Sequence, residues 1–106
     1  MNPRPPIALT IAGSDPSGGA GIQGDLKTFS ALGAYGTAVL TSLTAQSTQG
    51  VTGVHVVPAD FVRAQLDTLV DDVAVDAAKI GMLASAATIE TVLAFLDKRS
   101  DAVPVV

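Results

Sequence analysis

An apolar run at residues 7–12, Ile7-Ala8-Leu9-Thr10-Ile11-Ala12, meets a loop carrying four glycines, Gly13-Ser14-Asp15-Pro16-Ser17-Gly18-Gly19-Ala20-Gly21, before a helix-period stripe begins. A short apolar run closed by glycine reads as a buried strand. From Ala20 or Gly21 onward, Ile22, Leu26, Phe29 and Leu32 recur at helical spacing, and Gly33 supplies a C-terminal stop. Strand, loop and helix in that order predict an α/β layered fold with a largely parallel sheet. A strand feeding a helix is the first half of a βαβ unit, whose crossover returns the chain parallel to its start.

The alternation continues over 106 residues, room for one small domain. Residues 35–45 hold Val39, Leu40 and Leu43 among threonines and read as a second strand; 46–50 is a loop, and 51–57 a third strand at an edge. Pro58 marks a helix start. Phe61, Leu66, Leu69, Val70 and Val73 give that helix its stripe, with Arg63 and Asp67 as an i,i+4 pair. Residues 76–80 form a short strand and Gly81-Met82-Leu83 a turn. Ser85 caps a helix that buries Ile89, Val92, Leu93 and Leu96 and ends on Lys98 and Arg99, which suit its dipole. Ala102-Val103-Pro104-Val105-Val106 begins a further apolar strand, so the expectation is the N-terminal portion of a larger domain. The alternative is a terminal edge strand, which Pro104 favours.

Composition narrows the function classes. Hydrophobic residues make up 48% and charged residues 15%, which is too apolar for a disordered chain. There is no cysteine for a disulfide or thiolate zinc site, and a single histidine, His55, cannot make a His-rich metal site; it reads as a surface residue. A net charge of −4 leaves no basic footprint for nucleic acid or anionic membranes. Residues 28–59 lack Asp, Glu, Lys and Arg, yet Gly33, Gly36 and repeated hydroxyl residues break up the ~20 apolar residues that a span requires. The apolar run at 7–12 is also short for a signal-peptide core of about 7–15 residues. A cytoplasmic protein with no membrane span is expected.

Gly19-Ala20-Gly21-Ile22-Gln23-Gly24 matches the dinucleotide fingerprint G-x-G-x-x-G, but its context does not. Residues 13–18 intervene between strand and first glycine, and no acid lies between Asp25 and Asp60, where an acid about 20 residues on should hold the ribose. A nicotinamide-dependent oxidoreductase is thereby disfavoured. A P-loop is rejected because Gly19-Ala20 stands where Lys-Ser/Thr is required. The loop is either a plain βα connection with glycines for close packing, or a ligand loop at the carboxyl end of the first strand. Its length beyond the usual 2–6 residues favours the second.

Residues 9–23, Leu9-Thr10-Ile11-Ala12-Gly13-Ser14-Asp15-Pro16-Ser17-Gly18-Gly19-Ala20-Gly21-Ile22-Gln23, followed by Asp25-Leu26-Lys27-Thr28, closely resemble the start of the hydroxymethylpyrimidine/phosphomethylpyrimidine kinases of thiamine biosynthesis. Gly33-Ala34-Tyr35-Gly36, Thr44-Ala45-Gln46-Ser47-Thr48 and Lys79-Ile80-Gly81-Met82-Leu83 continue the resemblance in order. It implies a ribokinase-like fold, a mostly parallel sheet flanked by helices, of which 1–106 would be the N-terminal substrate-binding portion. It implies ATP-dependent phosphorylation of 4-amino-5-hydroxymethyl-2-methylpyrimidine and then of its monophosphate, with Mg²⁺, and a homodimer by analogy. The ATP contacts and catalytic base would lie beyond this segment, so no catalytic residue is assigned within it.

The resemblance carries four substrate-binding residues. Gln46 would hydrogen-bond the aminopyrimidine, since one amide offers an acceptor and donors to adjacent ring groups; the plain alternative is a solvated loop glutamine. Asp25 would accept from the ring amino group or the hydroxymethyl, against a first-turn aspartate favoured by the helix dipole. Gly13 would let the backbone approach the substrate, against a strand-ending turn. Met82 would be a polarizable wall, against core filling. Asp15 reads as a cap or hydrogen-bond hub, and Lys79 is given no chemistry. Rival functions are a pyridoxal or pyridoxine kinase of the same superfamily, which Ala45-Gln46-Ser47-Thr48 disfavours, and a non-catalytic segment that only binds.

Overall fold

The structure, a computed structural model, describes residues 4–99 and Val105. Ile7–Gly13 forms β1, Gly21–Ala31 α1, Tyr35–Ser47 β2, Gly50–Val56 β3, Ala59–Asp72 α2, Ala77–Ile80 β4 and Ala86–Asp97 α3. The sheet order is β3-β2-β1-β4. Strand β1 pairs in parallel with both β2 and β4, while β3 runs antiparallel to β2 at the edge. Val105 adds a parallel bridge to Ala78; the rest of the strand expected at 102–106 lies outside the described residues.

Alternation along β1 divides the two faces of the sheet. Leu9 and Ile11 join Val39, Ala78, Val62, Leu66, Val92 and Phe95 in the buried core beneath α2 and α3. Thr10 points the other way, where its hydroxyl meets Asp25 of α1. Helix α1 lies close over β2, since a side chain at Gly36 would collide with Leu26. No residue of α1 is fully buried, because α1 covers this face of the sheet alone among the described helices. Leu32, counted in its stripe, is 80% exposed: the helix stops at Ala31 and Gly33 turns away with φ +83°.

The other two stripes shift as well. In α2 the buried residues are Val62 and Leu66, while Phe61 is exposed. In α3 they are Thr88, Val92 and Phe95, while Ile89 and Leu93 face solvent. The reason in α3 is Thr88. Its hydroxyl accepts from the Ser85 hydroxyl at 2.9 Å and its amide donates to Ser85 Oγ at 3.1 Å, so a polar residue can head the buried face. Ser85 caps α3 as expected. Burying the side chains of Val62 and Leu66 is worth about 1.5–3 kcal/mol each.

Polar side chains finish the sheet where strands run out. Asp76 donates its amide to the Ile7 carbonyl and accepts the Ile7 amide on Oδ2 at 2.7 Å, lacing the start of β1 to β4. Past the end of β3, the edge of β2 is open at Leu40. The Gln65 side chain of α2 accepts the Leu40 amide at 3.0 Å and donates to its carbonyl at 2.9 Å. One amide group there does the work of an absent strand. The pair Arg63–Asp67 forms at 3.0 Å, and His55 is exposed on β3, both as expected.

Candidate functional site: a cleft at the carboxyl ends of β1, β2 and β4

The chain leaves β1 with β2 on one side and β4 on the other, so the strand order reverses at β1. Open parallel sheets leave a crevice outside the carboxyl ends at such a point. A cleft of about 460 Å³ lies there, and Gly13, Thr44, Gln46, Lys79, Gly81 and Met82 are among its walls. Two register shifts shape it. Ala12 faces Leu40 but Gly13 faces Ser42, which leaves Thr41 as an extra residue on β2. Ala45 faces Gly53 but Gln46 faces Val51, which leaves Thr52 extra on β3. Bulges of this kind bend a strand and re-aim the side chains beside them.

The glycine-rich loop is a braced structure and not a slack connection. The Ser14 amide donates to the Ser42 carbonyl, Ser14 Oγ accepts the Thr44 amide, and the Thr44 hydroxyl donates to the Ser14 carbonyl, all within 3.0 Å. Asp15 is 3% exposed and is the hub the sequence suggests. Its carboxylate accepts the Ser17 hydroxyl at 2.6 Å and the amides of Ser17 and Ala20, and its own amide donates to Gln23 Oε1. The Ser17 hydroxyl first, then the amides of Ser17, Ala20 and Gly19, hold the carboxyl below its usual value despite burial. Gly21 has φ +58°, and a Cβ there would stand 2.5 Å from the Gly13 carbonyl oxygen. Only glycine lets α1 start this close to the end of β1. The loop's glycines allow the close packing, and Gly13, Asp15, Ala20 and Gly21 line the cleft.

Three of the four expected substrate residues meet in that cleft. Gln46 lies at the end of β2, not in the loop expected at 46–50: β2 runs on to Ser47 and turns through Thr48 and Gln49 into β3. Its side-chain amide stands 3.1 Å from the Thr44 hydroxyl oxygen, whose one proton goes to the Ser14 carbonyl. Met82 is 53% exposed, so it does not fill the core. The Thr41 hydroxyl, fully buried, donates to the Met82 carbonyl at 2.7 Å and pins the segment after β4 over the cleft. A Cβ on Gly13 would lie 2.6 Å from Ser42 Oγ and 3.3 Å from Met82 Cε, so a side chain there would have to displace both.

Asp25 is placed differently. It stands in the second turn of α1, which has no acid in its first turn, so the dipole explanation does not apply. Its carboxylate accepts Lys79 Nζ at 2.9 and 3.1 Å and the Thr10 hydroxyl at 2.6 Å, and it is not among the residues lining the cleft. Lys79 is the residue that sequence reasoning missed. The available signal was a lysine inside an otherwise apolar short strand, with an opposite charge on the helix that a βαβ unit lays beside it. A separate apolar hollow of about 300 Å³, lined by Leu9, Val73, Val75, Ala78 and Phe95 with Arg99 at its rim, lies away from these residues.

A family profile described as phosphomethylpyrimidine kinase matches residues 15–106. The chain belongs to this family. The chain is 64% identical over 85 residues to the hydroxymethylpyrimidine/phosphomethylpyrimidine kinase of Escherichia coli, an alignment covering 80% of this chain and 32% of that protein. It thus spans about a third of the length of that curated relative. Among solved structures it resembles the phosphomethylpyrimidine kinase of Clostridium difficile, with TM-score 0.86 and 46% identity over 90% of this chain and 41% of that one. The pyridoxal kinase of Staphylococcus aureus in complex with AMP-PCP and pyridoxal gives TM-score 0.77 and 34% identity, over 95% of this chain and 38% of that one. The family member has the expected ribokinase-like α/β architecture, a mostly parallel sheet flanked by helices. No helix of the described residues is long and apolar enough to cross a membrane.

Proposed function

We propose that residues 1–106 are the N-terminal substrate-binding portion of a ribokinase-like kinase that phosphorylates 4-amino-5-hydroxymethyl-2-methylpyrimidine and then its monophosphate, with ATP as donor, in the cytoplasm. The observation that carries this reading is the convergence of Gln46, Gly13 and Met82 on one cleft at the carboxyl ends of the strands. Kinship with the E. coli enzyme, whose name states both substrates, supports it. In this reading the Gln46 amide pairs with the ring nitrogen and amino group, and the Met82 thioether lies against the ring face. Gly13 leaves the room that a side chain would occupy. The segment binds and orients the hydroxymethyl oxygen; phosphoryl transfer then depends on positioning and charge stabilisation supplied with the rest of the kinase.

Among the described residues no three His, Cys, Asp or Glu side chains stand together to hold a cation. The AMP-PCP in the S. aureus pyridoxal kinase supports a nucleotide as the phosphoryl donor. Pyridoxal is the rival substrate because that same structure contains it. The test uses the complete kinase with ATP, Mg²⁺ and either the pyrimidine alcohol or pyridoxal, read by product mass. Preferential formation of the pyrimidine monophosphate and diphosphate is expected; exclusive phosphorylation of pyridoxal, or no product, overturns the proposal.

A further inference from the structure

Lys79 is the one cationic side chain among the residues lining the cleft, on a wall shared with Gly13, Gln46 and Met82. The single acid in that lining, Asp15, is already saturated by Ser17 and Ala20. An ammonium has three N–H donors. Those of Lys79 reach one carboxylate, Asp25, whose Oδ2 also takes the Thr10 hydroxyl at 2.6 Å. The pair is asymmetric: the Asp25 side chain is 20% exposed and that of Lys79 39%. The carboxylate is the more buried partner, and Lys79 is the one that lines the open cleft. Gly81 preserves that opening, since a Cβ there would lie 3.3 Å from Lys79 Nζ and 2.6 Å from the Ala12 side chain. A lone, partly exposed ion pair contributes little to stability, which leaves the charge available for another use.

Resting on the function proposed above, we infer that Lys79 discriminates by charge between the two substrates of the reaction sequence. To a neutral hydroxymethyl group the ammonium offers a hydrogen bond to an uncharged oxygen; to a phosphate monoester it offers one between opposite full charges. Asp25 balances Lys79 while the cleft is empty or holds the alcohol, and shares it when an anion arrives. Lys79 is thus a specificity residue for the second phosphorylation, with Asp25 and Thr10 positioning it.

The experiment measures KM for the pyrimidine alcohol and for its monophosphate in the complete kinase, as wild type, K79M and K79R, across ionic strengths. K79M is expected to raise KM for the monophosphate by roughly tenfold more than KM for the alcohol. K79R should restore the ratio toward that of the wild type. Added salt should raise the monophosphate KM of the wild type more than its alcohol KM, because a partly exposed charge pair is screened. Equal rises for both substrates would mean that Lys79 only places Asp25, and this outcome or no change overturns the inference. Should K79M fail to fold, the salt dependence of the two wild-type KM values decides alone. A wild type active on both substrates but without charge discrimination defeats this inference and leaves the function intact; one active on neither defeats both.

Discussion

Lys79 and Asp25 are 54 residues apart in sequence, and the ammonium of one stands 2.9 Å from the carboxylate of the other. The contact crosses from β4 to α1 over the middle of β1, whose Thr10 hydroxyl completes it. It ties together three of the elements around the cleft: β1 leads into the glycine-rich loop, α1 leaves it, and β4 leads to Met82.

Gln46→Ala in the complete kinase is expected to weaken pyrimidine binding by roughly 1–3 kcal/mol, the effect of leaving polar ring groups without partners. KM for the pyrimidine should rise correspondingly, while KM for ATP stays near that of the wild type. Steady-state kinetics with each substrate varied checks this. An unchanged pyrimidine KM removes Gln46 from the site.

Thr41→Val keeps the shape of a fully buried side chain but deletes the hydrogen bond to the Met82 carbonyl. Losing one intramolecular hydrogen bond costs about 0.5–1.5 kcal/mol. The unfolding free energy should fall by that amount, and because Met82 lines the cleft, pyrimidine KM should rise with it. A drop in stability without any kinetic effect would separate the loop's anchoring from binding.

Gly21→Ala and Gly19→Ala test the loop's geometry as a matched pair. At Gly21 the backbone has φ +58° and a Cβ would stand 2.5 Å from the Gly13 oxygen, whereas nothing lies within 4 Å at Gly19. Strain of order 1–3 kcal/mol plus a backbone collision is expected for the first. The second should remain within about 0.5 kcal/mol of wild type. Equilibrium unfolding of both variants provides the comparison.

Asp15 gives the protein an acid limb. Its carboxyl titrates below the usual value of 3.8 when folded, chiefly because the Ser17 hydroxyl donates to the ionised form. A depressed folded pKa means that the unfolded chain takes up the proton first on acidification. The stabilisation is therefore complete above the unfolded value and is lost as pH falls through the folded one. Asp15→Asn should flatten the stability–pH curve in the window below about pH 4, and Ser17→Ala should do so in part. Urea unfolding at stepped pH values measures both.

Local signals in the sequence were enough to specify the sequence of elements. The apolar run at 7–12, the glycine at 33 and the serine at 85 each act on their own neighbours: burial demand, a left-handed stop and a hydroxyl cap require no distant partner. The family motifs likewise marked Gly13, Gln46 and Met82, and the fold brings these three together. What the sequence could not supply was the rotation of each helix. Phe61, Ile89 and Leu93 are as apolar as the residues that are buried, and only the position of the sheet chooses among them. Thr88 could replace an apolar residue at the core because Ser85 satisfies its hydroxyl. Nor could sequence show that Asp25 and Lys79 share a bond. That pairing depends on β4 lying beside β1 in register, with Thr10 opposite Lys79, and on α1 crossing the same face. The ends of the strands decide the cleft for the same reason: bulges at Gly13 and Gln46 arise from pairing between strands, and pairing is a tertiary fact.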